Sequence, residues 1–175
     1  SVTSFDAAGN QTGHVDEAYT EDGSPLVSYW YSGNTGEVGK IEYEYDAAGN
    51  EIKSTYYGLD GETKNYFISE YDADGNKIRE EQRSAEGELQ ERMEYTYDGS
   101  GNLIRDDRYS PDGTLEYYFL ISYDSQGRRT GYSSYNGDGT LDWRHVNRYD
   151  DAGNYLGYDE YDAAGNLTQS TVSER

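Results

Sequence analysis

A six-residue block returns along this chain at an interval that does not vary. Tyr45-Asp46-Ala47-Ala48-Gly49-Asn50 recurs as Tyr71-Asp72-Ala73-Asp74-Gly75-Asn76, Tyr97-Asp98-Gly99-Ser100-Gly101-Asn102, Tyr123-Asp124-Ser125-Gln126-Gly127-Arg128 and Tyr149-Asp150-Asp151-Ala152-Gly153-Asn154, always 26 residues on. A second glycine series, Gly61, Gly87, Gly113, Gly139 and Gly165, falls between these blocks, so from Gly49 onward the steps alternate 12 and 14. Upstream, Gly9, Gly23 and Gly36 carry the series on with steps of 14, 13 and 13. Glycines this close would break any helix of ordinary length, and the apolar residues show no helical period. Each Asp-x-x-Gly instead has hairpin chemistry. The aspartate accepts a backbone N–H to open a type I turn, and the glycine takes the left-handed position that follows. The expected turn residues are Asp46, Gly49, Asp72, Gly75, Asp98, Gly101, Asp124, Gly127, Asp150 and Gly153.

Removing about four turn residues from each interval leaves strands of roughly 8 and 10 residues, or about 27 and 34 Å. Both intervals are even, so equivalent positions keep the same facing from strand to strand. The expected fold is therefore all-β: a single hairpin-repeat domain over residues 1–175, an antiparallel meander of about thirteen strands in some six 26-residue double-hairpin units. Such a meander can coil as a solenoid, spiral as one open sheet or close as a barrel. The regularity favours the solenoid-like or spiralling open forms, whose edge strands have to be blunted by charge or capped.

Aligning the longer strands predicts the buried face. Leu89, Leu115 and Leu141 share parity with Phe67, Met93, Phe119 and His145 and with Tyr71, Tyr97, Tyr123 and Tyr149. The opposite parity carries Lys64, Gln90, Glu116 and Asp142, then Tyr66, Arg92, Tyr118 and Arg144, and reads as mostly wet. In the shorter strands the clearest apolar column is Ile52, Ile78 and Ile104. Only 21 residues are Leu, Ile or Val, and 21 are tyrosine. Tyrosine buries a ring while keeping a hydroxyl for water or a partner, which suits a thin, half-wet apolar layer.

Thirty-five acidic against 14 basic residues leave a formal charge of −21, which argues against a nucleic-acid partner, because phosphate binding needs clustered Lys and Arg. No run approaches the roughly 20 apolar residues of a membrane-spanning helix, so no membrane insertion is expected. With no cysteine, there is no disulfide framework, thiolate metal site or cysteine nucleophile.

Tyr161-Asp162-Ala163-Ala164-Gly165-Asn166-Leu167-Thr168, Gly101-Asn102-Leu103 and Phe5-Asp6-Ala7-Ala8-Gly9-Asn10 resemble the YD-repeat, or RHS-type, family, whose hallmark is Tyr-Asp followed by a Gly-Asn-Leu turn. The likeness runs from about residue 5 to 172. It implies a hairpin repeat from an exported bacterial protein, extracellular or in the cell envelope, where such repeats form curved sheets that bind carbohydrate or enclose a toxin. A fainter similarity, in Tyr117-Tyr118-Phe119 and the Asp-Gly turns, is to cell-wall-binding hairpin repeats that grip glycans or choline.

Catalytic chemistry has little to work with. His14 and His145 are the two histidines, and His145 stands in a column of Phe and Met, which reads as a satisfied, half-buried ring. No nucleophile elbow, phosphate loop or paired-histidine motif is present, so no enzyme and no cofactor are expected. Asp106 and Asp107 alternate across a strand and cannot act together. Tyr66, Arg92, Tyr118 and Arg144 recur on the polar face of successive long strands about 9.6 Å apart, and sugar rings stack on exposed aromatic faces while Arg donates to their hydroxyls. This row is the candidate ligand site, with a cross-strand ladder as the alternative. Asp72, Asp74 and Asn76 have the alternating oxygens with which a Ca²⁺ loop begins, but lack its closing glutamate. The functional expectation is a non-enzymatic binding or surface-interaction module for a glycan or another envelope protein. The alternatives are a structural spacer or a fragment of a toxin-enclosing shell, and weak Ca²⁺ binding by acidic turns.

Overall fold

The structure, a computed structural model, describes residues 2–5, 11–32, 38–58 and 60–173. Among them are fourteen strands and no helix. The turn expected at 6–10 and the loop at 33–36 lie outside the described residues.

The chain divides into two compact units, Ser1–Gln90 and Glu91–Arg175. The first carries β1 (Val2–Phe5), β2 (Gln11–Tyr19), β3 (Pro25–Ser32), β4 (Val38–Tyr45), β5 (Glu51–Tyr57), β6 (Thr63–Tyr71) and β7 (Lys77–Ser84). The second carries β8 (Leu89–Tyr97), β9 (Leu103–Tyr109), β10 (Leu115–Tyr123), β11 (Arg129–Asn136), β12 (Leu141–Tyr149), β13 (Tyr155–Asp162) and β14 (Leu167–Ser170). Within each unit every strand pairs antiparallel with its sequence neighbours, an open meander whose first and last strands are not joined. The fourteen strands match the expected meander of about thirteen, the last turn at 162–166 pairing the chain back as the four-residue β14. Most long strands have nine residues and the short ones seven or eight. Each turn takes five residues rather than four: Asp72 N–H donates to the Asn76 carbonyl at 2.9 Å and Gly75 N–H to the Asp72 carbonyl at 3.2 Å. The register slips by one residue beside each such turn, as the bulge of this loop type requires.

Register puts Phe119 opposite Asp106 on β9 and Ser134 on β11, and Ser134 opposite Trp143 on β12. That face is the better buried. Met93 and Ile121 are its buried hydrophobic residues, and Ser54, Ser69 and Ser134 are buried with them. A serine mid-strand leaves room for rings on the flanking strands to close over it: Phe119 stacks on Tyr132 at 5.0 Å, and Tyr132 meets Trp143 at 5.5 Å. The core is thus rings leaning over serines.

The bulges at the strand starts set Leu115 opposite Tyr109 and Leu141 opposite Tyr135, on the Tyr118 face and not with Phe119 as alternation alone predicts. Two more features depart from the sequence expectation. The isoleucine column of the short strands lies beside the turns, where Ile52 and Ile104 are only half-buried and Ile78 is 38% exposed. These residues floor open grooves between consecutive Tyr-Asp turns: Ile52 and Ile78 between Asp46 and Asp72, and Ile104 between Asp98 and Asp124. The face read as mostly wet buries two carboxylates, Glu81 and Asp107. Burial pushes Glu81 up, but hydrogen bonding by Arg83 and the charge of Arg79 outweigh it and hold the carboxyl below its ordinary range. Asp107 accepts from both Nε and Nη2 of Arg105, at 2.9 and 2.7 Å.

Candidate functional site

The turns are built from more than aspartate and glycine. Asp72 Oδ1 accepts from the N–H of Asp74 at 3.0 Å and of Asn76 at 2.8 Å, and Oδ2 accepts from the Asn76 side-chain amide at 3.0 Å. Gly75 has φ 83°, where a side chain would be strained. Asp46 and Asp98 repeat the clasp with Asn50 and Asn102, and at Asp124 the Arg128 Nε takes the asparagine's place at 2.7 Å. Donation by the Asn76 amide, then by the backbone N–H groups, holds the Asp72 carboxyl below its ordinary range. At 72–76, proposed as a Ca²⁺ loop, Asp72 therefore turns its oxygens toward the turn's own donors, and Asn76 presents its NH₂ rather than its carbonyl. Among the described residues no group of three or more His, Asp or Glu is placed to hold a metal ion.

The tyrosine ahead of each aspartate has its own partner. Tyr45, Tyr71, Tyr123 and Tyr149 donate their hydroxyls to the carbonyls of Pro25, Glu51, Leu103 and Arg129, at 2.8, 2.8, 3.0 and 3.0 Å. Each bond reaches back 20 residues, to the first residue of an earlier strand. This latch and the asparagine clasp were missed in the sequence. Their signal there is the Tyr that precedes each Asp-x-x-Gly from Tyr45 onward and the Asn that follows all of these but one, where Arg128 stands.

The four residues of the proposed ligand row stand on β6, β8, β10 and β12, and the sheet itself occupies their faces. Lys53 lies over Tyr66 at 5.5 Å, and Arg92 lies over Tyr109 at 4.2 Å. Tyr118 has the Arg105 guanidinium over its ring at 4.0 Å and stacks on Tyr135 at 5.0 Å with 6° between the planes. Arg144 covers Tyr161 at 4.6 Å. Register explains the cover, since Tyr118 pairs with Tyr135 on β11 and lies diagonal to Arg105 on β9. Lys53 thus shares the Tyr66 ring, and Arg105 and Tyr135 share the Tyr118 ring.

His145 stacks on Tyr158 at 4.2 Å, and its Nε2 lies 3.0 Å from Asn147 Oδ1. Asp106 pairs with Arg108 at 2.7 Å and Asp107 with Arg105 at 2.7 Å, on opposite faces of β9. The geometry thus presents satisfied ladders and clasps, with open grooves at the turns and beside Trp143.

A family described as a protein of unknown function, DUF2963, matches residues 33–82. No curated protein matches the chain. Among solved structures, the Photorhabdus luminescens Tc holotoxin pore is similar over 90% of this chain, at 14% identity and a TM-score of 0.51. The crystal structure of TcdB2-TccC3 is similar over 87%, at 16% identity and a TM-score of 0.39. The chain spans 9% of the length of each of these toxin chains. The likeness to the holotoxin pore is one of fold, the repeat fold to which the Tyr-Asp turns point.

Proposed function

We propose that the chain is structural: a stretch of repeat wall belonging to a longer, exported bacterial protein of the shell-forming kind, with no enzymatic activity of its own. The observation that carries this reading is the cover on the polar face, where rings and guanidinium groups that could grip a ligand are spent on one another across strands. The fold shared with the holotoxin pore supports it. A wall needs each unit to hold its neighbours, and the 20-residue tyrosine latch does that at every period where it is seen. A location outside the cell belongs to the same reading.

The test has two arms. Duplicating residues 117–142 inserts one more period in phase, and a wall segment then gains one nearest-neighbour interface and a higher denaturation midpoint. A glycan array probed with the unaltered chain stays blank. Saturable sugar binding that is lost in the Tyr66→Ala/Tyr118→Ala double variant, or an unchanged or lower midpoint on duplication, overturns the structural reading.

A further inference from the structure

One arrangement is repeated through the described residues: a Lys or Arg lies over a tyrosine ring and reaches a carboxylate. Lys40 sits over Tyr57 at 4.1 Å with Glu42 at 2.7 Å, and Arg92 sits over Tyr109 at 4.2 Å with Glu94 at 3.1 Å. Arg105, Tyr118 and Asp107 make a third set, and Arg128, Tyr149 and Asp124 a fourth. At Trp143 the ring and the carboxylates are in place without the cation. Among the described residues its one aromatic neighbour is Tyr132. A groove of about 360 Å³ opens on one side, between Trp143 and Asp142, Glu160 and Asp162. Another of about 400 Å³ opens on the other side, between Trp143 and Glu116, Tyr117 and Asp142.

The acids around this ring are not neutralised from within. Among the described residues, no Lys or Arg lies within ion-pair distance of Glu116, Asp142 or Asp162, and Glu160 faces only His145, at 3.6 Å. Asp142 accepts one hydrogen bond, from the Ser134 hydroxyl at 3.5 Å. Asp162 is held by Asn166, which positions it without cancelling its charge. The nearest arginine on the same strand, Arg144, is committed to Tyr161. Indole offers a cation the strongest π-face of any side chain. The column that carries Trp143 holds Asn65 and Glu91 in the earlier periods and Tyr117 in the one before, so this aromatic grooved surface belongs to the second unit.

We propose that the grooves beside Trp143 are a docking site for an arginine side chain of a partner polypeptide. The guanidinium lies flat on the indole, and its N–H groups donate to the Asp142 and Glu160 carboxylates, with the clasped Asp162 adding negative charge beside them. A planar fork matches a ring flanked by carboxylates better than an ammonium does, because it stacks and donates at once. The net charge of −21 draws a basic segment toward the chain. The site stands on its own geometry and does not depend on the wall role.

Trp30→Phe leaves Trp143 as the single tryptophan of the full chain, so its fluorescence reports this site alone. Titration with the peptide Gly-Arg-Gly-Arg-Gly gives a saturable change, about tenfold weaker with the lysine analogue and absent with pentaglycine. Asp142→Asn/Glu160→Gln, both partly solvated positions, weakens arginine-peptide binding about tenfold or more while the β-sheet circular dichroism is retained. Calorimetry on the unsubstituted chain repeats the measurement independently of Trp30→Phe. No saturable response at millimolar peptide, equal binding by the double carboxylate variant, or a response to choline without one to the arginine peptide overturns the proposal.

Discussion

Residues 98–102 and 110–114 close the two ends of β9 with the same backbone and different side chains. In both, the first residue's N–H meets the fifth residue's carbonyl, at 2.9 and 3.0 Å, and the glycine N–H meets the first residue's carbonyl at 3.0 Å. The glycines have φ 80° and 86°. The aspartate stands first in one turn and third in the other. Asp98 accepts from the N–H of Ser100 and from the N–H and amide of Asn102. Asp112 accepts from the Ser110 hydroxyl at 2.6 Å and the Thr114 N–H at 3.0 Å. The tyrosines differ as well. Tyr123, before an aspartate-first turn, latches to Leu103, whereas Tyr135, before the other kind, stacks on Tyr118 and among the described residues has no hydrogen bond through its hydroxyl. The backbone bend is therefore generic, and among the described residues the tyrosine latch to the first carbonyl of the preceding strand is seen at the Tyr-Asp turns.

If the bend is the same in both rows, Gly101→Ala and Gly113→Ala should cost alike. Neither glycine has an atom near its would-be Cβ, so each loses only the left-handed backbone penalty, about 1–2 kcal/mol in urea denaturation. Unequal losses would break the equivalence. The latch sharpens the contrast: Tyr123→Phe loses about 1 kcal/mol for its hydroxyl bond, while Tyr135→Phe melts with the parent chain.

A smaller effect separates the rows by pH. Hydrogen bonds from Ser110 and Thr114 hold the Asp112 carboxyl at about 2, below its ordinary 3.8. A carboxyl lowered in the folded state adds stability above its unfolded value and loses it as the pH falls through the folded one. The stability advantage of the parent over Asp112→Asn is thus present at pH 5 and gone near pH 2, seen as converging melting midpoints. The smallest change is expected from Asn102→Ala, which removes one donor to Asp98 while its backbone N–H remains, and which lowers the midpoint less than Tyr123→Phe does.

Much of this architecture is legible along the chain, for reasons particular residues make plain. Gly101 and Gly113 sit where only glycine is unstrained, and even spacing keeps Phe67, Met93 and Phe119 on one face whatever the strand pairing. Local chemistry of that kind needs no partner from elsewhere. Ile52 and Ile78 illustrate the opposite case, since an apolar column looks like core until one knows that it borders an open groove beside the turns. Asp107 and Glu81 have Arg105, Arg79 and Arg83 two residues away on the same strand face, which alternation predicts, but their burial is set by the neighbouring strands.

The covalent chain by itself determined where it bends and which side chains share a face, because turn geometry and side-chain alternation act over five residues or fewer. Only the tertiary structure decided what each side chain is used for. The tyrosine hydroxyl reaches a carbonyl 20 residues back, guanidinium groups cover the rings of the proposed ligand row, and Trp143 is left with acids and no cation. Those outcomes depend on register and on the lateral spacing of strands distant in sequence, which local chemistry does not carry.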